Sequence, residues 1–161
     1  MPRYIEGPEV RFTPNDVVFV DAEFYSGEKF TELEARRMFP ITGLRKYISL
    51  IDTEGNEIAI IRNIDDLLPE SKAVIEKCLD EYYMIPRITR FIKMSEKFKI
   101  WMWTAETDKG IFTFEIRNHI TAIKPLYDNR ILIKDANDNR YEIPDYTKLD
   151  KKSQKMIMPK I

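Results

Sequence analysis

The chain has 161 residues, of which 43% are hydrophobic and 33% charged, which is typical of one folded domain with a sizeable core. Its formal net charge is −1 with acids and bases interspersed, so we expect no nucleic-acid partner, because such proteins usually carry a basic excess or stripe. No apolar run approaches the roughly 20 residues that span a bilayer and no signal peptide is recognisable, so we expect a cytoplasmic protein without direct membrane insertion.

The N-terminal part of the chain gives mixed signals. Residues 1–14 include three prolines and one glycine, which predicts an irregular arm, with a short edge strand at Val10–Phe12 as its one regular piece. Residues 17–24 then alternate apolar and polar side chains, as expected for a strand. Phe30–Phe39 is rich in helix-forming residues, but it follows a hairpin-like turn and also fits alternation, so we favour a strand.

A β-hairpin followed by a helix is predicted for residues 47–83, and the rest of the chain is organised around it. The arms Tyr47–Ile51 and Glu57–Ile61 are nearly continuous apolar runs. The polar loop between them begins with aspartate and has glycine three residues later, which is typical of a type I turn followed by a residue at positive φ. The helix is predicted to begin at Pro69, where no N–H is needed, and to end before Pro86.

An antiparallel meander is predicted for residues 86–117. Ile100–Glu106 is rich in aromatic residues, and Ile111–Arg117 alternates apolar and polar side chains, as expected for strands of a sheet with one buried face. Thr107–Gly110 is a tight turn between these two strands. His119–Asn129 is then expected to be a connector.

A second hairpin–helix unit is predicted for residues 130–157, and it resembles the first. Asp135 corresponds to Asp52, and after a deletion of one residue Ser153 corresponds to Ser71. An internal repeat explains this order, but any two hairpin–helix units share such features, so both explanations stay open. Runs of strands interrupted by two helices predict an α+β fold with a mainly antiparallel sheet.

Two positions differ between the units in ways that affect stability. Leu68 occupies the helix N-cap position that Asp150 occupies in the second unit, and leucine cannot accept a hydrogen bond there. Replacing Leu68 by aspartate is therefore expected to stabilise the protein by roughly 0.5–2 kcal/mol. Asp138 stands where Gly55 stands, so we expect it in a left-handed conformation.

The sequence lacks the residues of most catalytic and metal-binding motifs. His119 is the only histidine, which excludes a multi-histidine metal site, and we expect it to be a surface side chain. The single cysteine, Cys78, lies on the apolar stripe of the predicted helix and is expected to be a buried thiol. Asp135–Asn139 begins like a calcium loop, but the sixth position is arginine and the twelfth is tyrosine, so a hairpin turn is expected. We predict no catalytic residues, no metal and no cofactor.

Two groups of side chains are candidates for binding. Trp101, Trp103, Phe112 and Phe114 suit a stacking platform, although a core is the commoner place for such residues. A basic group brackets Phe39–Ile41 and suits an anionic ligand or partner, or else protects a sheet edge from aggregation. Its members are Arg36, Arg37, Arg45 and Lys46. The residues selected as candidate binding residues are Arg36, Arg37, Trp101 and Asp108.

Several of these motifs also belong together. They are Ala35–Ile41, Tyr47–Asp52 with Gly55, Trp101, Thr107–Gly110, Asp135–Tyr141, Leu149–Asp150 and Ser153. In this combination the chain resembles a bacterial domain-of-unknown-function family, number eighteen fifty-four, from about Val17 to Ile157. The family pattern has aspartate before Pro69 and glycine at position 138, so Leu68 and Asp138 are departures from it.

The resemblance implies a strand at Phe30–Phe39 and supplies no catalytic residues. It also implies a protein that stands alone or lies C-terminal to an ABC-type transporter, and some members are associated with metabolism of cyanophycin, an aspartate–arginine polymer. We therefore predict an accessory module that binds a partner protein, such as a transporter or polymer-metabolism enzyme, or a small ligand. Two alternatives remain: a small enzyme that acts on peptide or amino-acid substrates through converging carboxylates, and a homo-oligomer subunit joined through sheet edges.

Overall fold

The computed structural model describes residues 3–16 and 18–161. The chain, predicted as a single domain, divides into two compact units, Met1–Met84 and Ile85–Ile161. Buried apolar side chains form two clusters, one drawn from Ile5 to Leu79 and the other from Ile88 to Ile157. Each unit thus has its own apolar cluster, whereas the sequence predicted one domain with one core.

The first unit is built on a six-stranded sheet. Its strands are β1 (Arg3–Ile5), β2 (Val10–Asn15), β3 (Phe19–Phe24), β4 (Lys29–Phe39), β5 (Gly43–Ile51) and β6 (Glu57–Asn63). Their order in space is β1-β6-β5-β4-β3-β2, and every neighbouring pair is antiparallel except β1 with β6. Sequential strands are thus neighbours, apart from the N-terminal strand, which crosses to the far edge.

The predicted irregular arm, residues 1–14, contains β1 and most of β2. The edge strand expected at Val10–Phe12 is confirmed as part of β2, whereas the prediction is corrected at β1, which is regular. Ile5 at the end of β1 is 1% exposed, because β1 pairs with β6 and packs into the core. Pro14 lies in β2 at the edge of the sheet, where a missing N–H removes no ladder hydrogen bond. Tertiary pairing therefore outweighs the local effect of proline. Met1, Pro2 and Val17, which the predicted arm and strand included, lie outside the described residues.

The strand favoured for Phe30–Phe39 is confirmed as β4. Leu33 and Ala35 are 1% and 0% exposed, because they face the core of the first unit. Glu32 has a positive φ of 53°, close to where the pairing with β3 shifts register. Hydrogen bonding to β3 and β5 on both sides outweighs the helix propensity of this segment.

Helix α1 (Pro69–Met84) starts at the predicted residue and ends before Pro86. Ile75 and Cys78 on its inner face are buried in the core of the first unit. The Sγ of Cys78 donates a hydrogen bond to the carbonyl oxygen of Val18 at 3.4 Å. Burial raises the pKa of this thiol to about 11. The expectation of a buried cysteine is confirmed.

The second unit contains two three-stranded antiparallel sheets. The first is the meander predicted for residues 86–117, and its strands are β7 (Ile88–Lys97), β8 (Ile100–Thr107) and β9 (Gly110–Ile116). The second contains β10 (Ile123–Pro125), β11 (Ile131–Lys134) and β12 (Arg140–Ile143). Two helices complete the unit, α2 (His119–Ala122) and α3 (Lys151–Ile157). The fold is α+β, with mainly antiparallel sheets and few helices.

The segment predicted as a connector, His119–Asn129, is more regular than expected. It contains α2, the strand β10 and a short 3₁₀ turn. Asn118 caps α2 by accepting a hydrogen bond from the N–H of Thr121. Ala122 and Ile123 are 5% and 9% exposed, so burial of these apolar side chains organises the segment.

A buried serine in each unit binds the outer edge of a sheet. Ser71 of α1 accepts a hydrogen bond from the N–H of Phe12 at 3.0 Å, and Ser153 of α3 accepts one from the N–H of Phe91 at 2.8 Å. Both serines are 0% exposed, and both phenylalanines lie on strands, β2 and β7, at the edges of their sheets. The hydroxyls thus satisfy N–H groups that another strand would otherwise pair with.

The two aspartate-led turns also share their hydrogen bonds. In each, Oδ1 of the aspartate, Asp52 or Asp135, accepts from the N–H groups two and four residues later, at 2.8–2.9 Å. Gly55 has a φ of 89° and Asp138 a φ of 63°, which confirms the left-handed conformation predicted for Asp138. The second turn connects β11 and β12, so it is a hairpin turn as predicted.

Candidate functional site

The connection between β4 and β5 exposes several large apolar side chains close together. We call residues 38–47 the hairpin tip. Ile41 is 90% exposed, and Phe39 and Leu44 are 50% and 51% exposed. Met38 and Tyr47 in the same segment are also exposed. Single exposed apolar residues are ordinary, whereas a group of them in one place usually marks an interaction surface.

Contacts within the hairpin hold this tip in one shape. The Nε of Arg37 on β4 donates to the carbonyl oxygen of Leu44 on β5 at 3.1 Å. The rings of Phe39 and Tyr47 pack edge to face with centroids 5.9 Å apart. A Cβ at Gly43 would lie 3.2 Å from the Cβ of Phe39, so glycine permits the close approach of the two arms.

Arg45 connects the hairpin tip to the helix behind it. Its Nη2 lies 2.6 Å from Oδ1 of Asp65 and 3.0 Å from Oε1 of Glu76 in α1. The Nζ of Lys72 lies 3.2 Å from the same Asp65 oxygen. Hydrogen bonds from Arg45 and Lys72 lower the pKa of Asp65 from 3.8 to about 2. The carboxylate therefore stays charged at neutral pH and keeps its cationic partners.

The two arginines selected from the sequence lie at the base of this hairpin and have partners inside the unit. Arg36 Nη2 is 2.8 Å from Oε1 of Glu34, and its guanidinium lies over the Tyr82 ring, 3.4 Å from the centroid. The guanidinium of Arg37 lies over Tyr83, 4.8 Å from its centroid. These contacts orient both side chains at the base of the hairpin. Arg37 stays partly exposed, and the apolar residues of the tip include the most exposed side chains of the site.

Trp101, a third selected residue, lies in the second unit between two other rings. It stacks on Trp103 with centroids 5.4 Å apart and on His119 with centroids 3.5 Å apart. The Nζ of Lys160 lies 4.6 Å from the centroid of the Trp101 ring. The predicted platform is thus largely covered by the protein's own side chains, and Trp103 is fully buried in the core.

His119 is not the surface side chain that the sequence predicted, and this expectation is corrected. The residue is half-buried because its ring stacks on Trp101. Its Nε2 is buried and has no hydrogen-bond partner among residues 3–16 and 18–161. No local pattern around His119 signals this contact, because Trp101 is distant in sequence.

Asp108, the fourth selected residue, lies in the turn after β8, at the opposite end of that strand from Trp101. Its Oδ1 accepts a hydrogen bond from the N–H of Arg87 at 2.7 Å, and its own N–H donates to the Arg87 carbonyl at 3.0 Å. Seven residues of extended strand span roughly 23 Å, so Trp101 and Asp108 do not form one site. Asp108 instead fastens the start of the second unit to the β8–β9 turn.

Tyr141 and Asp135 form a buried polar pair in the second unit. The Tyr141 hydroxyl donates to Oδ2 of Asp135 at 3.1 Å. Burial, and then the negative charge of Asp135, raise the pKa of Tyr141 above its ordinary value of 10.0. The phenol is thus held in its neutral form and acts as a hydrogen-bond donor to the turn.

The described part of the chain has neither a cluster of metal ligands nor a membrane-spanning helix. No group of three or more histidine, cysteine, aspartate or glutamate side chains there is placed to hold a metal ion. Within the same residues, no helix combines the length and the apolar character needed to cross a membrane.

Comparison with known proteins identifies a family. A family model described as "Domain of unknown function (DUF1854)" matches residues 30–159, which include the hairpin tip and both buried serines. No curated protein and no solved structure gives a significant match to the chain. Because the matched residues make up most of the chain, the protein belongs to the DUF1854 family of domains of unknown function.

Proposed function

We propose that this chain is a non-catalytic accessory module that attaches to a larger partner through the hairpin tip. The observation that carries the proposal is the exposure of Ile41, Phe39 and Leu44 on a hairpin whose own contacts hold its shape. A surface that is already ordered loses little conformational entropy on binding. Clustered apolar side chains in water favour aggregation, so we expect a partner to cover them.

The charges near the tip support an anionic partner. Residues 35–50 contain four basic and no acidic side chains, a charge of +4, and since the whole chain carries −1 the remainder carries −1 − 4 = −5. Internal ion pairs offset two of these charges, those of Arg36 and Arg45. Arg37 and Lys46 have no carboxylate within ion-pair distance among the described residues, which leaves two positive charges for a partner.

The family resemblance suggests an ABC-type transporter or an enzyme of cyanophycin metabolism as the larger assembly. The test is affinity purification of the tagged chain from its native host, with mass spectrometry of what is retained. Phe39→Ser with Ile41→Ser should lose a partner that the unchanged chain retains. Ile120→Ser is the matched control, because Ile120 in the second unit is 91% exposed. Retention of the same partner by all three proteins would contradict attachment through the tip.

We further infer that the two units derive from one duplicated β-sheet-and-helix unit. Two matched features support this inference: the buried serines Ser71 and Ser153, 153 − 71 = 82 residues apart, and the turns at Asp52 and Asp135, 135 − 52 = 83 residues apart. The two units differ in the connection that leads into the strand before the aspartate-led turn. In the first unit this connection, between β4 and β5, is the hairpin tip, whereas in the second unit, between β9 and β11, it contains α2 and β10. A difference confined to one copy is where we expect a specialised function.

The two alternative functions have less support. Sheet-edge oligomerisation is disfavoured where Ser71 and Ser153 occupy N–H groups of the edge strands. Two of the acidic side chains that an enzyme would need already have partners, because Glu106 pairs with Arg90 and Asp108 accepts from the N–H of Arg87. Light scattering is expected to find a monomer, and a stable oligomer at working concentration would favour the structural-subunit alternative.

A further inference from the structure

The hairpin tip extends beyond the strands on either side of it. Among the described residues, β3 pairs with β4 no farther along than Leu33, and β6 pairs with β5 no farther than Lys46. Residues 38–45 therefore form a two-stranded ribbon without a third strand, and Ile41 lies in the turn at its end. The exposed apolar side chains therefore lie at the end of a two-stranded ribbon and not on the face of the sheet.

This shape limits which partner fits. A specific protein–protein interface buries about 1,000 Å² or more, so a protein partner needs a concave surface that encloses the projecting turn. A second copy placed tip to tip would bring Arg37 and Lys46 of both chains together, and like charges oppose such contact. A lipid bilayer needs no matching concave surface, and its affinity rises with both apolar insertion and nearby basic side chains.

Resting on the proposed function, we propose that the hairpin tip attaches the protein to the surface of an anionic lipid bilayer. Ile41, Phe39 and Leu44 enter the layer between headgroups and acyl chains, and Arg37 and Lys46 bind acidic headgroups. This is peripheral attachment by a turn, in which apolar side chains reach about 5–10 Å into the interface. The ion pairs of Arg45 hold the hairpin in place as it inserts.

Vesicle sedimentation with the full chain tests this. We expect cosedimentation with vesicles of equal parts phosphatidylcholine and phosphatidylglycerol, and binding at least about tenfold weaker to phosphatidylcholine alone or after Ile41→Ser. Raising the salt concentration to about 1 M should also weaken binding, because it screens the basic side chains. Ile120→Ser should bind like the unchanged chain, because it removes an equally exposed isoleucine, 91% against 90%, from the second unit.

Site-specific fluorescence gives a second measurement that does not depend on removing a side chain. Cys78 is buried, so a thiol reagent should label an exposed Ile41→Cys selectively. An environment-sensitive dye at position 41 should brighten and shift to shorter wavelength with anionic vesicles. The same dye on Ile120→Cys should not change.

The outcomes separate this inference from the function on which it rests. No cosedimentation with anionic vesicles and no change in the dye at position 41 would overturn bilayer attachment. If the chain with Phe39→Ser and Ile41→Ser then still lost a protein partner in the purification from the host, the proposed attachment through the tip would stand. The tip would in that case bind an acidic protein surface. If the tip variants behaved like the unchanged chain in both experiments, the proposed function would fail as well.

Discussion

Replacing each buried serine by alanine tests how the sheet edges are held. Ser71→Ala removes the hydroxyl that accepts from the N–H of Phe12, and Ser153→Ala removes the one that accepts from the N–H of Phe91. Both serines are 0% exposed, and the two phenylalanines are 1% and 2% exposed. Each variant therefore leaves a backbone donor in a place that water does not reach.

The expected cost follows from the hydrogen bonds that each variant loses. An unsatisfied buried donor costs about 1–3 kcal/mol, so Ser71→Ala should lower the free energy of unfolding by that amount. Ser153 Oγ also donates to Oδ1 of Asp150 at 2.6 Å, a bond to a charged acceptor that adds about 1.5 kcal/mol or more. Alanine regains about 0.5 kcal/mol of helix propensity in both variants, which leaves Ser153→Ala the more destabilised.

Urea unfolding of the two variants measures these free energies, and hydrogen exchange of the Phe12 and Phe91 amides reports the local effect. Ser26→Ala is the control, because Ser26 is exposed and should change stability by less than about 0.5 kcal/mol. Equal stability of all three variants and the unchanged chain would refute the reasoning. It would mean that water or a shifted side chain satisfies the freed N–H groups.

Three further substitutions test the helix cap and the two shifted pKa values. Leu68→Asp should raise the melting temperature, because the aspartate supplies the hydrogen-bond acceptor that the start of α1 lacks, worth about 0.5–2 kcal/mol. A lower melting temperature would mean that the contacts of the half-buried leucine, which lines a pocket with Phe24, contribute more to stability than the new cap. The pKa of Asp65 is lowered from 3.8 to about 2, so its contribution to stability is present above 3.8 and lost as the pH falls through about 2. The difference in melting temperature between the unchanged chain and Asp65→Asn should therefore vanish over that window, and a difference that persisted at lower pH would contradict the ion-pair explanation. The pKa of Tyr141 is raised, so the contribution of this residue to stability is complete below pH 10.0 and decreases as the pH rises further. The stability of Tyr141→Phe should therefore fall less steeply above pH 10.0 than that of the unchanged chain. Equal dependence of stability on pH in the two proteins would contradict the raised pKa.

Part of the candidate site was visible in the sequence. The basic residues around Phe39–Ile41 indicated a place for an anionic partner, and the hairpin tip lies there. The sequence did not indicate which side chains face water. Arg36 is held by Glu34 and by an aromatic ring of α1, contacts that depend on how the helix packs on the sheet. Whether Arg36, Arg37, Trp101 and Asp108 bind a partner stays a prediction.

Long-range pairing explains the expectations that needed correction. Residues 1–14 look irregular locally, yet Ile5 pairs with Ile61, which is far away along the chain. His119 looks like a loop residue, yet it stacks on Trp101. In both cases the favourable contact is with a residue outside any local window, and the free energy of burying apolar surface exceeds the local preference.

The sequence by itself determined the local elements of this protein: the helix bounded by Pro69 and Pro86, the aspartate-led turns, the positive φ of Asp138 and the strands of the meander. These depend on the steric and hydrogen-bonding preferences of a few neighbouring residues. Only the tertiary structure decided that there are two cores and that the β4–β5 turn projects into water with its apolar side chains uncovered. Those properties arise from which strands pair across the sheet and where that pairing stops, and this is set by the sum of many distant contacts.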